Sequence, residues 1–145
     1  LFVIAVGYFL YSNVTQYHPF ESNVSTQRAR SSDSRHDLIL KDAFQRRTSN
    51  IQVEGEGIIS KILPDDTDGD RHQKVIVELN SGQTILIAHN IDLAGRIDSI
   101  QEGDPIAFNG EYEWNEKGGL VHWTHHDPNG NHVAGWLKHD GQIYQ

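Results

Sequence analysis

Histidine is unevenly spread along this 145-residue chain. Four of the nine fall between Gly118 and Trp136, in the run Gly-Gly-Leu-Val-His-Trp-Thr-His-His-Asp-Pro-Asn-Gly-Asn-His-Val-Ala-Gly-Trp. Neutral imidazole is a good ligand for zinc, copper or iron, so their spacing decides whether they can share an ion. Leu120 to Asp127 reads as extended. Pro128-Asn129-Gly130 reads as a turn, because Pro presets φ while Asn and Gly tolerate positive φ. If the returning arm places Gly130 opposite Asp127, then His125 faces His132 with Cβ atoms roughly 5 Å apart. Asp127 lies on the face of His125 and adds an oxygen, so His125, Asp127 and His132 form the expected transition-metal set. A slip of one residue would break it. His122 and His126 share a face but lie about 13 Å apart along a straight strand, too far to chelate one ion. They are assigned with Trp123 and Trp136 to ligand binding. The competing reading makes these histidines hydrogen-bonded structural groups and the tryptophans packing residues. No His-Glu-x-x-His signature is present.

A second concentration of ligand-type residues is Pro64-Asp-Asp-Thr-Asp-Gly-Asp70. Asp66, Asp68 and Asp70 alternate like the opening of a calcium loop, whose hard oxygen ligands suit a hard cation. An EF-hand is excluded, since its sixth position would be Arg71 and its twelfth Val77. A looser calcium site and a solvated turn both remain open. His72, His89 and Asn90 stand at expected strand ends, where closed sheets gather binding groups. Arg96 is placed to pair with Asp92 four residues earlier, for about 0.3–0.5 kcal/mol if the segment is helical.

These groups need a scaffold, and from Ile51 onward the apolar pattern has period two. Val53 to Leu63 reads as a strand whose two glycines permit a bend where a closed sheet turns a corner. His72 to Leu79 and Thr84 to His89 flank the turn Asn80-Ser-Gly-Gln83. Asn90 to Ile97 is expected to be a short helix capped by Asn90. Ile106 to Trp114 alternates most clearly, with Ile106, Phe108, Gly110, Tyr112 and Trp114 inward and Ala107, Asn109, Glu111 and Glu113 outward. Asp140-Gly141 predicts a final tight hairpin. Three strands, a helix and two strands give the order of a five-stranded OB-like barrel, so the fold class is mainly β.

Ahead of it, Ser34-Arg-His-Asp37 predicts a helix start before Leu38, Leu40, Ala43 and Phe44, ending near Arg46-Arg47. Residues 12–50 are thus a linker with a short helix, and 51–145 the barrel domain. Leu1 to Tyr11 is uncharged and almost wholly apolar. Eleven residues span about 16 Å as a helix, short of a bilayer core. The stretch reads as the remaining end of a signal peptide or membrane anchor, or as an assembly segment packed between subunits.

Composition narrows the partners. With no cysteine, disulfides and thiolate metal sites are excluded. Residues 1–50 hold six Lys and Arg against four Asp and Glu, a net +2, whereas 51–145 hold six against sixteen, a net −10. An acidic field of that size repels nucleic-acid backbones and favours divalent cations or basic partners.

Leu63-Pro-Asp-Asp, Ile87-Ala-His-Asn-Ile-Asp-Leu-Ala94, Gly110-Glu-Tyr-Glu-Trp-Asn115 and His122-Trp-Thr-His-His-Asp-Pro128 resemble a small bacterial family of exported proteins, family 3465 of the domains of unknown function. The resemblance implies a small extracytoplasmic protein, periplasmic, membrane-anchored or secreted, and lends no residue a role. A weaker likeness is to the thermonucleases, also OB barrels. It would require Asp68, Asp70, Asn90 and Asp92 to hold calcium, with Arg71 or Arg96 as phosphate clamp. The leading expectation is an exported, membrane-tethered binding module that holds a divalent cation and an unidentified ligand or partner without turnover. The alternatives are a metal-dependent nuclease or phosphoesterase using the His-rich hairpin, and a structural subunit of a homo-oligomer or filament.

Overall fold

The computed structural model describes residues 34–145. The apolar stretch 1–11 and the linker up to residue 33 lie outside the described residues. Among the described residues, seven strands follow a single helix: β1 (Ile51–Asp66), β2 (His72–Leu79), β3 (Thr84–Asn90), β4 (Pro105–Glu113), β5 (Leu120–His122), β6 (Trp136–His139) and β7 (Gln142–Tyr144). The first five close into a ring in the order β1-β2-β3-β5-β4 and back to β1, while β6 and β7 continue the sheet from β4. The pairing of β3 with β5 is parallel, at Leu86 with Leu120 and Ile87 with Val121.

Closure depends on β1 changing partner. Ile51 to Ile58 pair with β4, and Gly57 onward pairs with β2. The change of partner falls at the second of the two glycines, Gly57. A Cβ on Gly57 would overlap the Glu78 carbonyl, and one on Gly55 would press into the Phe108 ring at 2.7 Å. Just beyond, the β2 register skips Ser60, an extra residue of the kind that increases strand twist. Inside the ring, alternation buries Val53, Ile59, Val75, Val77, Ile85, Ile87, Phe108, Tyr112 and Val121 in one core.

Helix α1 (34–46) packs on this core through Leu40 and Ala43. Leu38, expected in the apolar stripe, sits two residues before Leu40, hence on the far side of the helix, and is 66% exposed. Asp37 accepts the Ser81 backbone N–H at 2.8 Å, tying the helix to the β2–β3 turn. Trp114, expected inside, lies past the end of β4. Its indole N–H donates to the Phe44 carbonyl at 3.0 Å and Arg47 covers its ring.

The expected helix from Asn90 to Ile97 does not form; residues 91–94 make turns. Asn90 remains in β3, its side chain accepts the Asp92 N–H, and Gly95 adopts φ 75° after one turn. Gln73 then fixes the path, accepting the Ile97 N–H and donating to the Ile97 carbonyl, both at 2.9 Å. Without the helix, Arg96 does not meet Asp92. It bridges Asp65 and Asp98, while Arg71 takes Asp92.

Residues 123–135 are an excursion from an otherwise continuous path along β4. β5 leaves at His122 opposite Glu111, and β6 rejoins at Trp136 opposite Asn109. Between these points Gly110 lies against the His122 carbonyl and Gly135 against those of Trp123 and Asn109, approaches that a Cβ would block. Asp140 and Gly141, at φ 48° and 76°, make the expected tight turn from β6 to β7.

The turn into β5 makes a stability prediction. Gly119 has φ 108°, and a Cβ there would collide with the buried Tyr112 ring, whereas Gly130 at φ 69° faces open space. Gly119→Ala is expected to cost about 3 kcal/mol or more in urea unfolding, and Gly130→Ala about 1 kcal/mol. Equal costs would show that backbone conformation alone governs both positions.

Candidate metal centre

Alternation in β4 sends Glu111 and Glu113 to the outside of the ring, and the β4–β5 register sets His122 directly opposite Glu111. The His122 Nε2 atom lies 3.6 Å from Glu111 Oε1 and 3.9 Å from Glu113 Oε1. Tetrahedral bonds of about 2.1 Å place neighbouring ligand atoms about 3.4 Å apart, so this spacing suits an ion better than a hydrogen bond. Among the described residues, this is the group of three His, Asp or Glu side chains whose ligand atoms all lie within 4.8 Å of one another. His122 Nε2 is also buried without a hydrogen-bond partner. Burying an imidazole nitrogen in that way is costly unless something else satisfies it.

The second oxygen of Glu111 is engaged separately. Its Oε2 lies 2.7 Å from His132 Nε2, and His132 Nδ1 lies 2.8 Å from the Val133 carbonyl. Both neighbours are acceptors, which suits the doubly protonated, charged form of the ring. Burial opposes that charge, but the hydrogen bonds to Glu111 and Val133, with the charges of Glu111 and Asp127, outweigh it and hold the pKa above the usual histidine value. The His132 ring stacks on Trp123 at 4.1 Å and 8°, and the His125 ring lies 5.3 Å from the same indole. Trp123 itself has φ 53°.

The chain reverses at Pro128–Gly130 as expected, with the Gly130 N–H donating to the Asp127 carbonyl at 3.0 Å. The pairing of His125 with His132 does not form. The His125 carbonyl instead accepts the Gly135 N–H, three residues farther along. Asp127 explains the offset. Its carboxylate accepts the backbone N–H groups of Asn129, Asn131 and His132 at 2.8–3.0 Å, winding the segment into a loop. The Asn129 N–H leads in holding the Asp127 pKa below the usual carboxylate range. His125, Asp127 and His132 therefore do not converge on one point. His125 is buried and donates from Nδ1 to the His126 carbonyl at 2.7 Å, while His126 is exposed.

Several of the expected ligand-binding residues do meet. A cleft of about 500 Å³ is lined by Asp70, His72, Asn90, His122, Trp123, His125 and Asp127. His72 pairs with Asn90 across β2 and β3, and the excursion folds over that end of the ring. Trp136 stands apart at the start of β6. Asp66, Asp68 and Asp70 do not converge: Asp66 accepts the Asp68 N–H, and Asp68 and Asp70 are exposed. Asp92, which the thermonuclease likeness needs for calcium, is held by Arg71, whose hydrogen bonds lower its pKa. Glu111 and Glu113 are the residues that sequence reasoning read as outward but did not join to His122. The hairpin register from β4 through Asn115–Gly119 was the available signal.

His89 is structural. Its Nε2 donates to the Gly95 carbonyl at 3.2 Å, so Nδ1 accepts from the Thr124 hydroxyl at 2.8 Å in the neutral tautomer. Burial lowers its pKa to about 4 from 6.5. The unfolded chain binds this proton more readily, so the contribution is intact above pH 6.5 and is lost as pH falls toward 4. Unfolding stability should drop by roughly 2–3 kcal/mol between pH 7 and 4.5, and by under about 1 kcal/mol in His89→Gln. Equal drops in both chains would assign the loss to other groups.

No curated protein matches this chain. The model of one family, described as protein of unknown function (DUF3465), matches residues 23–145 and so takes in every described strand and both the cluster and the cleft. The chain belongs to that family.

Proposed function

We propose that this domain is a cation-binding module of the OB type, holding one divalent transition metal on Glu111, Glu113 and His122 beside a ligand cleft. The observation that carries this reading is the buried, unpartnered His122 Nε2 facing two carboxylate oxygens at near-ligand spacing. One imidazole and two carboxylates, with no thiol, suit zinc or iron better than copper(I) or calcium. The OB assignment draws support from the ring order and the parallel β3–β5 pair. The cleft lies against β2, β3 and the β1–β2 loop, where OB folds bind their ligands.

Three protein ligands leave a fourth position, which in hydrolases carries the attacking water. The shielding of His122 Nε2 from solvent favours holding over turnover. The net −10 of residues 51–145 disfavours nucleic acid as the cleft's ligand. We place the domain outside the cytoplasm, tethered or assembled through the apolar stretch 1–11, a reading that the absence of cysteine fits.

Isothermal titration with zinc, paired with elemental analysis, tests the reading. One ion per chain is expected. Glu111→Gln, Glu113→Gln and His122→Gln should each weaken binding tenfold or more, and Asp68→Asn should leave it unchanged. A His122→Gln chain that binds zinc as tightly as the parent would place the site elsewhere.

A further inference from the structure

We propose that His132 is a positioning residue for the cation site, and that through it an occupied site sets the wall of the cleft. The inference rests on the cation reading above. Its starting point is the division of labour within the Glu111 carboxylate. Oε1 faces His122 Nε2, and Oε2 accepts from His132. Because the two contacts use different oxygens, a cation on Oε1 does not displace His132. The same hydrogen bond that orients Glu111 for the ion stays in place when the ion is bound, as partners of metal-ligating carboxylates do.

The far end of this link is the cleft. His132 stacks on Trp123 at 4.1 Å, and Trp123 lines the cleft together with His125 and Asp127. The Asp127 turn is satisfied within the excursion itself. Among the described residues, the hydrogen bond that fastens 125–134 to the strands is the one from His132 to Glu111. Fixing Glu111 with a cation therefore fixes His132, then Trp123 and the segment that walls the cleft. An empty site leaves Glu111 free to swing, taking His132 with it.

Hydrogen exchange on the full 145-residue chain, with and without saturating zinc, tests this link. Zinc should slow exchange of the amides in residues 124–135 by tenfold or more in the parent chain. His132→Ala should bind zinc about tenfold more weakly and, once saturated, show no added protection there. His132→Gln, which keeps a donor toward Glu111, should recover affinity to within threefold. This rescue also separates positioning from folding damage. Zinc binding with no protection of 124–135 in the parent overturns the link and leaves the cation site standing. Protection in His132→Ala equal to the parent also overturns it. Absence of zinc binding in the parent removes both readings.

Discussion

β1 hydrogen-bonds to β4 through its first half and to β2 through its second, and that change of partner closes the sheet. A side chain at Gly57 would strike the Glu78 carbonyl, so the crossing is possible only where the backbone is bare. Once the ring is closed, strand alternation has one inside and one outside. Val53, Phe108 and Tyr112 fill the first, and Glu111, Glu113 and His122 are left on the second.

The outer face acquires chemistry because the edge of β4 is shared. β5 occupies the stretch at Glu111–Glu113 and β6 the stretch at Ala107–Asn109, and the thirteen residues between them must leave the sheet. That departure carries Trp123, His125 and Asp127 over the end of the ring where β2 and β3 present His72 and Asn90. The cleft and the acidic cluster meet at His122, whose ring contributes to both. Glycine makes this geometry possible at Gly110 and Gly135, where three backbones approach too closely for any Cβ.

Electrostatics divides the histidines by environment. His89 is enclosed by apolar core and kept neutral by desolvation, with its two nitrogens locked to Thr124 and Gly95. His132 stands against a carboxylate, which helps hold its pKa above the usual histidine value against the opposing effect of burial. Among the described residues, His122 is the histidine left with a buried nitrogen that no hydrogen bond satisfies. The basic residues near the cleft are spent on local pairing, Arg71 on Asp92 and Arg96 on Asp65 and Asp98, so the negative field around the cluster is not neutralised from that side.

The amino-acid order by itself determined the period-two strands, the inward set of β4 from Ile106 to Tyr112, the turn at Pro128–Gly130 and the final Asp-Gly hairpin. These depend on neighbours within a few residues, and a local pattern records them. It also marked His72, His89 and Asn90 at strand ends, and His122, Trp123 and His125 as ligand-binding or metal-binding groups of the hairpin. Only the tertiary structure decided which of them share a site. Asp127 turned inward to its own backbone and shifted the return arm by three residues, so His125 lost His132 as a partner. Gln73 and Arg71, reaching from β2 and its approach, replaced the expected helix after Asn90 with turns. Glu111 and His122 became neighbours through strand register, and the packing of the excursion then brought His132 to Glu111. Apart from the Asp127 turn, these contacts join residues 10 to 24 positions apart, and their energies depend on what surrounds each group after folding, which no local spacing encodes.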